Sequence, residues 1–392
     1  MGYILKATSI NTARAIYALN WFDIAPGLIY ISQDLRLKVI ELGIATTSFY
    51  VGLAMFQLVG GAVASRIGSK KVALIGLLIL GLAGILSGLS MNLSELIIFR
   101  FLAGLGSALF FSPGLSLLRD ISPPESYGLQ VGIYNGAFNL GGGIGAFGWV
   151  FVDGILGWRE GLVIGGALSI AVCLENFVVL RDIKEEKSQG TGFSKKLFII
   201  VKSKLLWILS IATIVGMFSE TITGQFIIYF EENYIRMTPS QSGFIDGTFL
   251  LIGFIGGVVG GHFLSKVTVR KQFSYFILVV TGISFSLIPY IHNFYALSVL
   301  IALLGFVTVS VFSILYTLAV DFSPDRATVP FSLSFVNFIQ LAIGASSPVA
   351  FTFLTDRIGY HYGWLTLGIL GLLLISLMIG IKLPSGKPGD AS

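Results

Sequence analysis

Apolar stretches of about 20 residues, the length that crosses a bilayer as a helix, follow one another along almost the whole of this chain. No other feature constrains the fold as much. In hydrocarbon every backbone N–H and C=O must be satisfied within the protein, so an apolar spanning stretch of this length is a helix. The stretches fall at roughly 11–32, 42–64, 72–90, 95–117, 128–152, 161–180, 205–229, 241–264, 273–291, 295–319, 329–353 and 363–382, each about the length of a spanning helix. Only 11% of the residues are charged and 55% are hydrophobic, against roughly 25% charged in a soluble domain. The expected class is therefore an all-α polytopic membrane protein of twelve transmembrane helices, with the lipid bilayer as its partner. A net charge of +5 on such a chain reflects bases gathered in loops, and nucleic acid is not expected as a partner.

The chain also repeats itself. The loop Gly61-Ala-Val-Ala-Ser65-Arg66-Ile-Gly68-Ser-Lys70-Lys71 returns as Gly261-His-Phe-Leu-Ser265-Lys266-Val-Thr-Val-Arg270-Lys271. Glycine, serine, a base and a closing pair of bases keep the same offsets, and each copy joins two apolar stretches. A repeat this long marks a duplicated half-molecule. The long polar interruption Arg181–Lys204 divides the copies, with a flexible Ser188–Gly192 piece and bases outnumbering Asp182, Glu185 and Glu186. Residues 1–180 and 205–392 are thus expected as two six-helix bundles. Residues 181–204 form a linker whose Phe193–Lys204 portion has the character of a basic surface helix.

Placing the N-terminus in the cytoplasm puts every Lys and Arg there except Arg36, Lys38, Arg100, Arg159, Arg236 and Arg357. The excess of bases on cytoplasmic loops sets orientation, so both termini are expected in the cytoplasm and the chain in the plasma membrane. Arg14, Asn20 and Asp23 interrupt the first apolar stretch, so a cleavable signal is not expected there. Cys173 is the single cysteine, so no intrachain disulfide or thiolate metal site is expected, and the three histidines lie at no ligand spacing. Small residues recur at intervals of four in stretch 8 (Gly253, Gly257, Gly261) and in stretch 5, a spacing that lets helix backbones pack closely in lipid.

Three local patterns resemble the major facilitator superfamily of secondary transporters. The repeated basic loop is similar to its signature of Gly, Asp, Arg, Gly and two bases, with Ser65 and Ser265 standing where Asp is usual. Arg100-Phe-Leu-Ala-Gly104-Leu-Gly106 resembles the Arg-x-x-x-Gly-x-Gly element of span 4, and Gly157-Trp158-Arg159 opens span 6 as in several branches. The resemblance implies two parallel six-helix repeats and a conformational role for Gly61, Ser65, Arg66, Gly68, Lys70 and Lys71 with Gly261, Ser265, Lys266, Arg270 and Lys271. It also implies a span-1 acid working beside a span-4 arginine. Span 5 lacks the proline of the drug-antiporter motif, and spans 2 and 8 hold no arginine of the kind that nitrate porters use.

An ionisable side chain within a span costs about 2.5–3.5 kcal/mol on insertion scales and faces a cavity or a partner. Asp23 and Arg100 are the best pair, since their depths differ by roughly 5 Å at 1.5 Å rise per residue, within reach of an arginine. Glu220 lies near the middle of span 7, Asp246 in the outer third of span 8, and Glu175 beside Arg181 at a membrane boundary. Asn20 shares a face with Asp23. Asn135 with Asn139, and Asn337 with Gln340, form polar stripes. Proton coupling is expected of Asp23, Arg100 and Glu220, and cavity lining of Asn20, Asn135, Asn139, Asp246, Asn337 and Gln340. The many aromatic residues define no cage by their spacing.

A phosphate-binding Gly-x-x-x-x-Gly-Lys-Ser/Thr loop does not occur, and no clustered nucleophile, metal site or acid pair suggests an enzyme. The expectation is a monomeric secondary transporter driven by the proton gradient without a cofactor. Its solute is expected to be a small organic one, neutral or cationic given three acids and one paired arginine, for which efflux is plausible. The alternatives are uptake of an organic acid anchored by Arg100 and, more remotely, a sensor built on a transporter fold.

Overall fold

The computed structural model describes residues 2–183, 198–265, 270–324 and 328–379. These form twelve helical spans in chain order. The first is Tyr3–Trp21 continued by Leu28–Asp34, followed by Val39–Ile67, Ser69–Gly88, Leu93–Ile121, Pro124–Ile155 and Trp158–Val179. The second half starts with Lys204–Ala212, which bends by 42° into Ile214–Ile235 as span 7. Pro239–Ser265, Arg270–Leu287 with its 3-10 extension to Tyr290, Phe294–Asp321, Val329–Gly344 joined to Ser347–Ile358, and Tyr360–Ile375 complete it. Spans 1 and 5 are the two not apolar enough by themselves to be recognised as crossing segments. Span 1 owes this to Asn11, Arg14 and Asn20, all buried against other helices.

The duplicated halves repeat one another in packing. Gly104 of span 4 lies so close to span 2 that a Cβ would run into the carbonyl oxygen of Phe49, and Gly305 of span 10 meets the carbonyl of Phe249 in span 8 in the same way. Spans 6 and 12 both open on glycine, Gly157 at φ 110°, ψ 157° and Gly359 at φ 93°, ψ 163°. That region of backbone space is essentially closed to other residues. Behind Gly157, Trp158 Nε1 and Arg159 Nη2 both donate to Asp34 Oδ2, at 3.2 and 3.0 Å, and Arg159 also donates to the carbonyl of Gly88. Behind Gly359, His361 Nδ1 and the Tyr234 hydroxyl share a hydrogen bond of 3.0 Å.

The described contacts between the halves cluster at the end of the bundle away from the termini. Span 2 meets span 11 there: Thr47 Oγ1 accepts from the Val349 N–H at 3.1 Å, and Gly43 lies against Thr352 and Pro348. Span 5 meets span 8, with Gly243 on Val150 and Gly143 on Leu251. Between these two seams, Gln225 Nε2 of span 7 donates to the Trp21 carbonyl at 3.1 Å and to the Tyr50 hydroxyl at 3.2 Å.

Two spans depart from a regular α-helix. Span 1 loses its helix through residues 22–27, and Pro26, which has no N–H to donate, lies inside that break. Span 7 holds two π-helical turns, Ser219–Thr223 and Glu231–Ile235. Irregular backbone at membrane depth is tolerated only where protein or a cavity surrounds it; residues 22–27 and the first π turn are interior, whereas the second π turn, with Tyr234 exposed, lies at the end of its span.

Of the repeated loop, Gly68 takes φ 105° at the turn between spans 2 and 3. Lys70 Nζ then donates to the carbonyls of Leu180, Arg181 and Ile183 at 3.1–3.4 Å, closing the end of span 6. Arg66, Lys71, Gly61, Gly261 and Lys271 are exposed. Lys266 lies outside the described residues, as do the side chains of Ser65, Ser265 and Arg270 and residues 193–197 of the expected surface helix, while residues 198–201 are helical with Phe198 and Ile199 exposed.

Candidate functional site

A cavity of about 370 Å³ lies between the halves, within the range of small-molecule sites. Span 1 supplies Arg14, Tyr17 and Trp21, and span 5 supplies Asn135, Phe138 and Asn139. Across from them span 7 offers Met217 and Glu220, span 10 Ser313 and Tyr316, and span 11 Asn337. The Tyr316 hydroxyl donates to Asn337 Oδ1 at 2.9 Å, and Asn139 Nδ2 donates to the Asn135 carbonyl at 3.3 Å. The first π turn of span 7 contains Glu220, so the acid is presented by the wider part of that helix.

The structure divides the residues expected at the site. Glu220, Asn135, Asn139 and Asn337 line the cavity, whereas Asp23, Arg100, Asn20, Asp246 and Gln340 do not. Arg100 Nη1 donates to Asp23 Oδ1 at 2.8 Å, and both side chains are 1% exposed. The Arg100 guanidinium also lies 5.0 Å from the Phe49 ring centroid. Asp23 comes from the break in span 1, where no helix turn competes for the carboxylate. Asn20 is turned from the cavity toward span 6, with Nδ2 donating to the Ile16 carbonyl at 2.9 Å and Oδ1 facing Gly165.

Gln340 shares a helical stripe with Asn337, yet it is turned onto span 7, donating to the Ser210 carbonyl and Thr213 Oγ1. Asp246, expected to line the cavity, is fully buried, and neither carboxyl oxygen has a hydrogen-bond partner among the described residues. Glu175 is exposed, as a boundary charge should be, and accepts from Ser9 Oγ at 2.8 Å. The physical reason for the misplaced residues is common to them. Spacing tells which residues share a face, but the rotation of each helix in the bundle decides which neighbour that face meets.

The residue that spacing missed is Arg14. It is 5% exposed and its guanidinium is surrounded by four rings, with centroids at 4.5 Å (Tyr17), 4.8 Å (Phe111), 5.0 Å (Tyr134) and 4.5 Å (Phe138). Such contacts are each worth about 0.5–1 kcal/mol when exposed and about 2 or more when desolvated. Arg14, Tyr17 and Trp21 follow at i, i+3 and i+7 on one face of span 1, a signal that marks the wall of the cavity. Phe111, Tyr134 and Phe138 arrive from spans 4 and 5, so no linear spacing could show the cage.

The profile of the Major Facilitator Superfamily matches residues 10–234 and again residues 209–391. The chain belongs to the major facilitator superfamily. The double match is the duplication seen in the packing, and the members that resemble this chain are membrane transporters rather than enzymes. The probable sulfoacetate transporter SauU of Cupriavidus necator is 28% identical over 162 residues, 41% of this chain and 38% of that protein. The quinolone resistance protein NorA of Staphylococcus aureus is 28% identical over 167 residues, 42% of this chain and 41% of that protein. In another strain of that organism NorA is 25% identical over 310 residues, 76% and 74% of the two chains. The first two matches thus span about two fifths of those relatives. Among solved structures, an inward-facing, unoccupied bacterial homologue of the human lysosomal transporter Spinster overlays with a TM-score of 0.84 at 14% identity, covering 96% of both chains.

Proposed function

We propose that this superfamily member is a proton-driven secondary transporter that moves a small organic solute by alternating access between residues 1–180 and 205–392. The observation that carries this is the cavity lined from both halves beside seams clustered at the end away from the termini. With both termini in the cytoplasm of a plasma-membrane protein, the structure corresponds to a state sealed toward the outside. Efflux of solute gathered from the cytoplasmic leaflet or cytoplasm is the direction that fits.

Asp23 and Arg100 form the coupling pair in this reading. Their ion pair bridges the broken part of span 1 and span 4, next to Phe22, whose ring lies against Gly224 of the other half. When the halves rock, strain on that segment opens the pair, and Asp23 takes a proton in place of the guanidinium. Glu220 is the second proton carrier, placed in the cavity itself. No cofactor enters the cycle, and a monomer suffices because both walls come from one chain.

The neutral or cationic solute expected from the sequence counted Asp23, Glu220 and Asp246 as cavity acids. Only Glu220 is one, and Arg14 faces the same space. The alternative, an organic acid anchored by Arg100, loses its anchor to Asp23 and gains Arg14 instead. The sulfoacetate named for SauU is an organic anion, which supports admitting an acidic group.

The test is counterflow and gradient-driven uptake in proteoliposomes with a solute found by binding. Asp23→Asn should keep counterflow and lose accumulation driven by a pH gradient. Wild-type accumulation by that variant would remove Asp23 from the coupling step, and a bound solute that never crosses the membrane would point to a sensor.

A further inference from the structure

We infer that the transported solute is a zwitterion whose acidic group is held by Arg14 and whose protonated amine faces Glu220. This rests on the reading above that the cavity between the halves is the transport site. Two ionisable side chains face that cavity from opposite halves, one of each sign. They are near enough to act on one another electrostatically but form no ion pair among the described residues. Neither is neutralised by anything else there. Arg14 Nε and Nη1 are buried without a hydrogen-bond partner among the described residues, and its cage supplies ring faces and the neutral Tyr17 hydroxyl but no counter-charge. Glu220 makes no described hydrogen bond.

A buried charge without a partner is strongly unfavourable, and the cost rises as water leaves the site. An occluded state must form each time the halves rock, so the solute has to satisfy what the protein leaves open. A neutral solute leaves both charges bare, and an amine alone leaves Arg14 bare beside an added cation. An acid alone leaves Glu220 bare unless it takes a proton. A compound bearing both groups answers both, and the loaded cavity is then electrically neutral. A planar guanidinium suits two-point recognition of a carboxylate or sulfonate. Asn135, Asn139 and Asn337 supply the remaining polar contacts, and Trp21, Phe138 and Met217 pack the apolar body.

The experiment is a thermal-shift screen of the purified full-length protein. The library consists of small organic compounds of matched mass, sorted as acid only, amine only, both or neither. Stabilising compounds should concentrate in the doubly charged class, because a ligand bound well above its dissociation constant raises stability. Arg14→Gln and Glu220→Gln should each weaken those compounds by at least about tenfold, the equivalent of 1.4 kcal/mol. Arg14→Lys, which keeps the charge and loses the fork, should retain part of the affinity, and it serves if Arg14→Gln does not fold. Ligand-free Arg14→Gln should be no less stable than the wild type, an outcome that a purely structural arginine would not give.

Stabilisers confined to neutral or amine-only compounds overturn the inference, as does affinity insensitive to Arg14→Gln or a doubly charged class with no stabiliser. Compounds that bind best as acids alone and gain from Glu220→Gln overturn it too. Gly136→Trp separates the two levels, since a Cβ at Gly136 already meets the Phe254 ring and an indole there fills the cavity. Binding that survives Gly136→Trp removes the cavity as the site. Binding lost in that variant but unchanged in Arg14→Gln removes only the zwitterion.

Discussion

Gly43→Ala should push the protein toward the state open on the side away from the termini. A methyl on Gly43 would collide with Thr352 Oγ1 and sit 2.9 Å from Thr352 Cβ and 3.0 Å from the Pro348 carbonyl oxygen, all on span 11. The hydroxyl can turn aside, but the Cβ and the backbone carbonyl cannot. Overpacking of this kind costs about 1–3 kcal/mol, and it acts only while the seam between spans 2 and 11 is closed. The strain therefore shifts the equilibrium by about 5–150-fold. A minor open state of about 1% would rise to between roughly 5% and 60%.

Spin labels at Lys38 and Arg357, both exposed near the ends of spans 2 and 11, report the change by double electron–electron resonance in a Cys173→Ala background. A longer-distance population should grow in Gly43→Ala and shrink again when Thr352→Gly is added, which removes two of the three colliding atoms. Gly148→Ala, where nothing lies within 4 Å of the added carbon, is the control and should leave the distribution alone. An unchanged distribution in Gly43→Ala refutes the claim that this seam holds the closed state.

Asp23→Ala should destabilise the protein by about 3–5 kcal/mol because it strands a buried guanidinium, whereas Asp23→Leu with Arg100→Met should recover most of that loss in equilibrium unfolding. Gly157→Ala and Gly359→Ala should each cost about 1–3 kcal/mol from backbone strain alone, measurable by the same unfolding. Cysteines replacing Ser69, Ser188 and Ser392 should resist an impermeant thiol reagent in intact cells, while one replacing Asn293 reacts. Labelling of the Ser188→Cys variant from outside would reverse the proposed orientation.

Much of the architecture was legible in the chain because lipid removes alternatives. A stretch of about 20 apolar residues has one backbone solution, and depth along a helix is simple arithmetic, which is why Asp23 and Arg100 could be paired from residue counts. The cavity was harder to read. Asn337 and Gln340 lie three residues apart on one helix, yet one faces the cavity and the other hydrogen-bonds to span 7. The depth of Asp246 in the outer third of span 8 suggests a cavity-lining acid, but burial depends on what covers it. The Arg14 cage takes its rings from three helices, so its only sequence trace is a base followed by aromatics at i+3 and i+7. In the linear sequence Arg14 is otherwise only an interruption of an apolar run.

The π turns of span 7 have a further consequence for how this helix tolerates length changes. A π turn closes its hydrogen bond one residue later than an α turn, so each carries one surplus residue. Deleting a residue within Ser219–Thr223 or Glu231–Ile235 returns that turn to α geometry and leaves the ladder intact. The cost is a rotation of one side against the other by one residue's share of a 3.6-residue turn. Single-residue deletions ordinarily ruin a spanning helix, because they misalign every contact beyond the cut. In span 7 the short segment Gly224–Phe230 lies between two such reserves, so a deletion in one can be compensated by an insertion in the other. Paired indels placed there would turn Gln225 away from Trp21 and Tyr50 while Glu220 and the outer loop keep their places, separating the grip between the halves from the chemistry of the cavity.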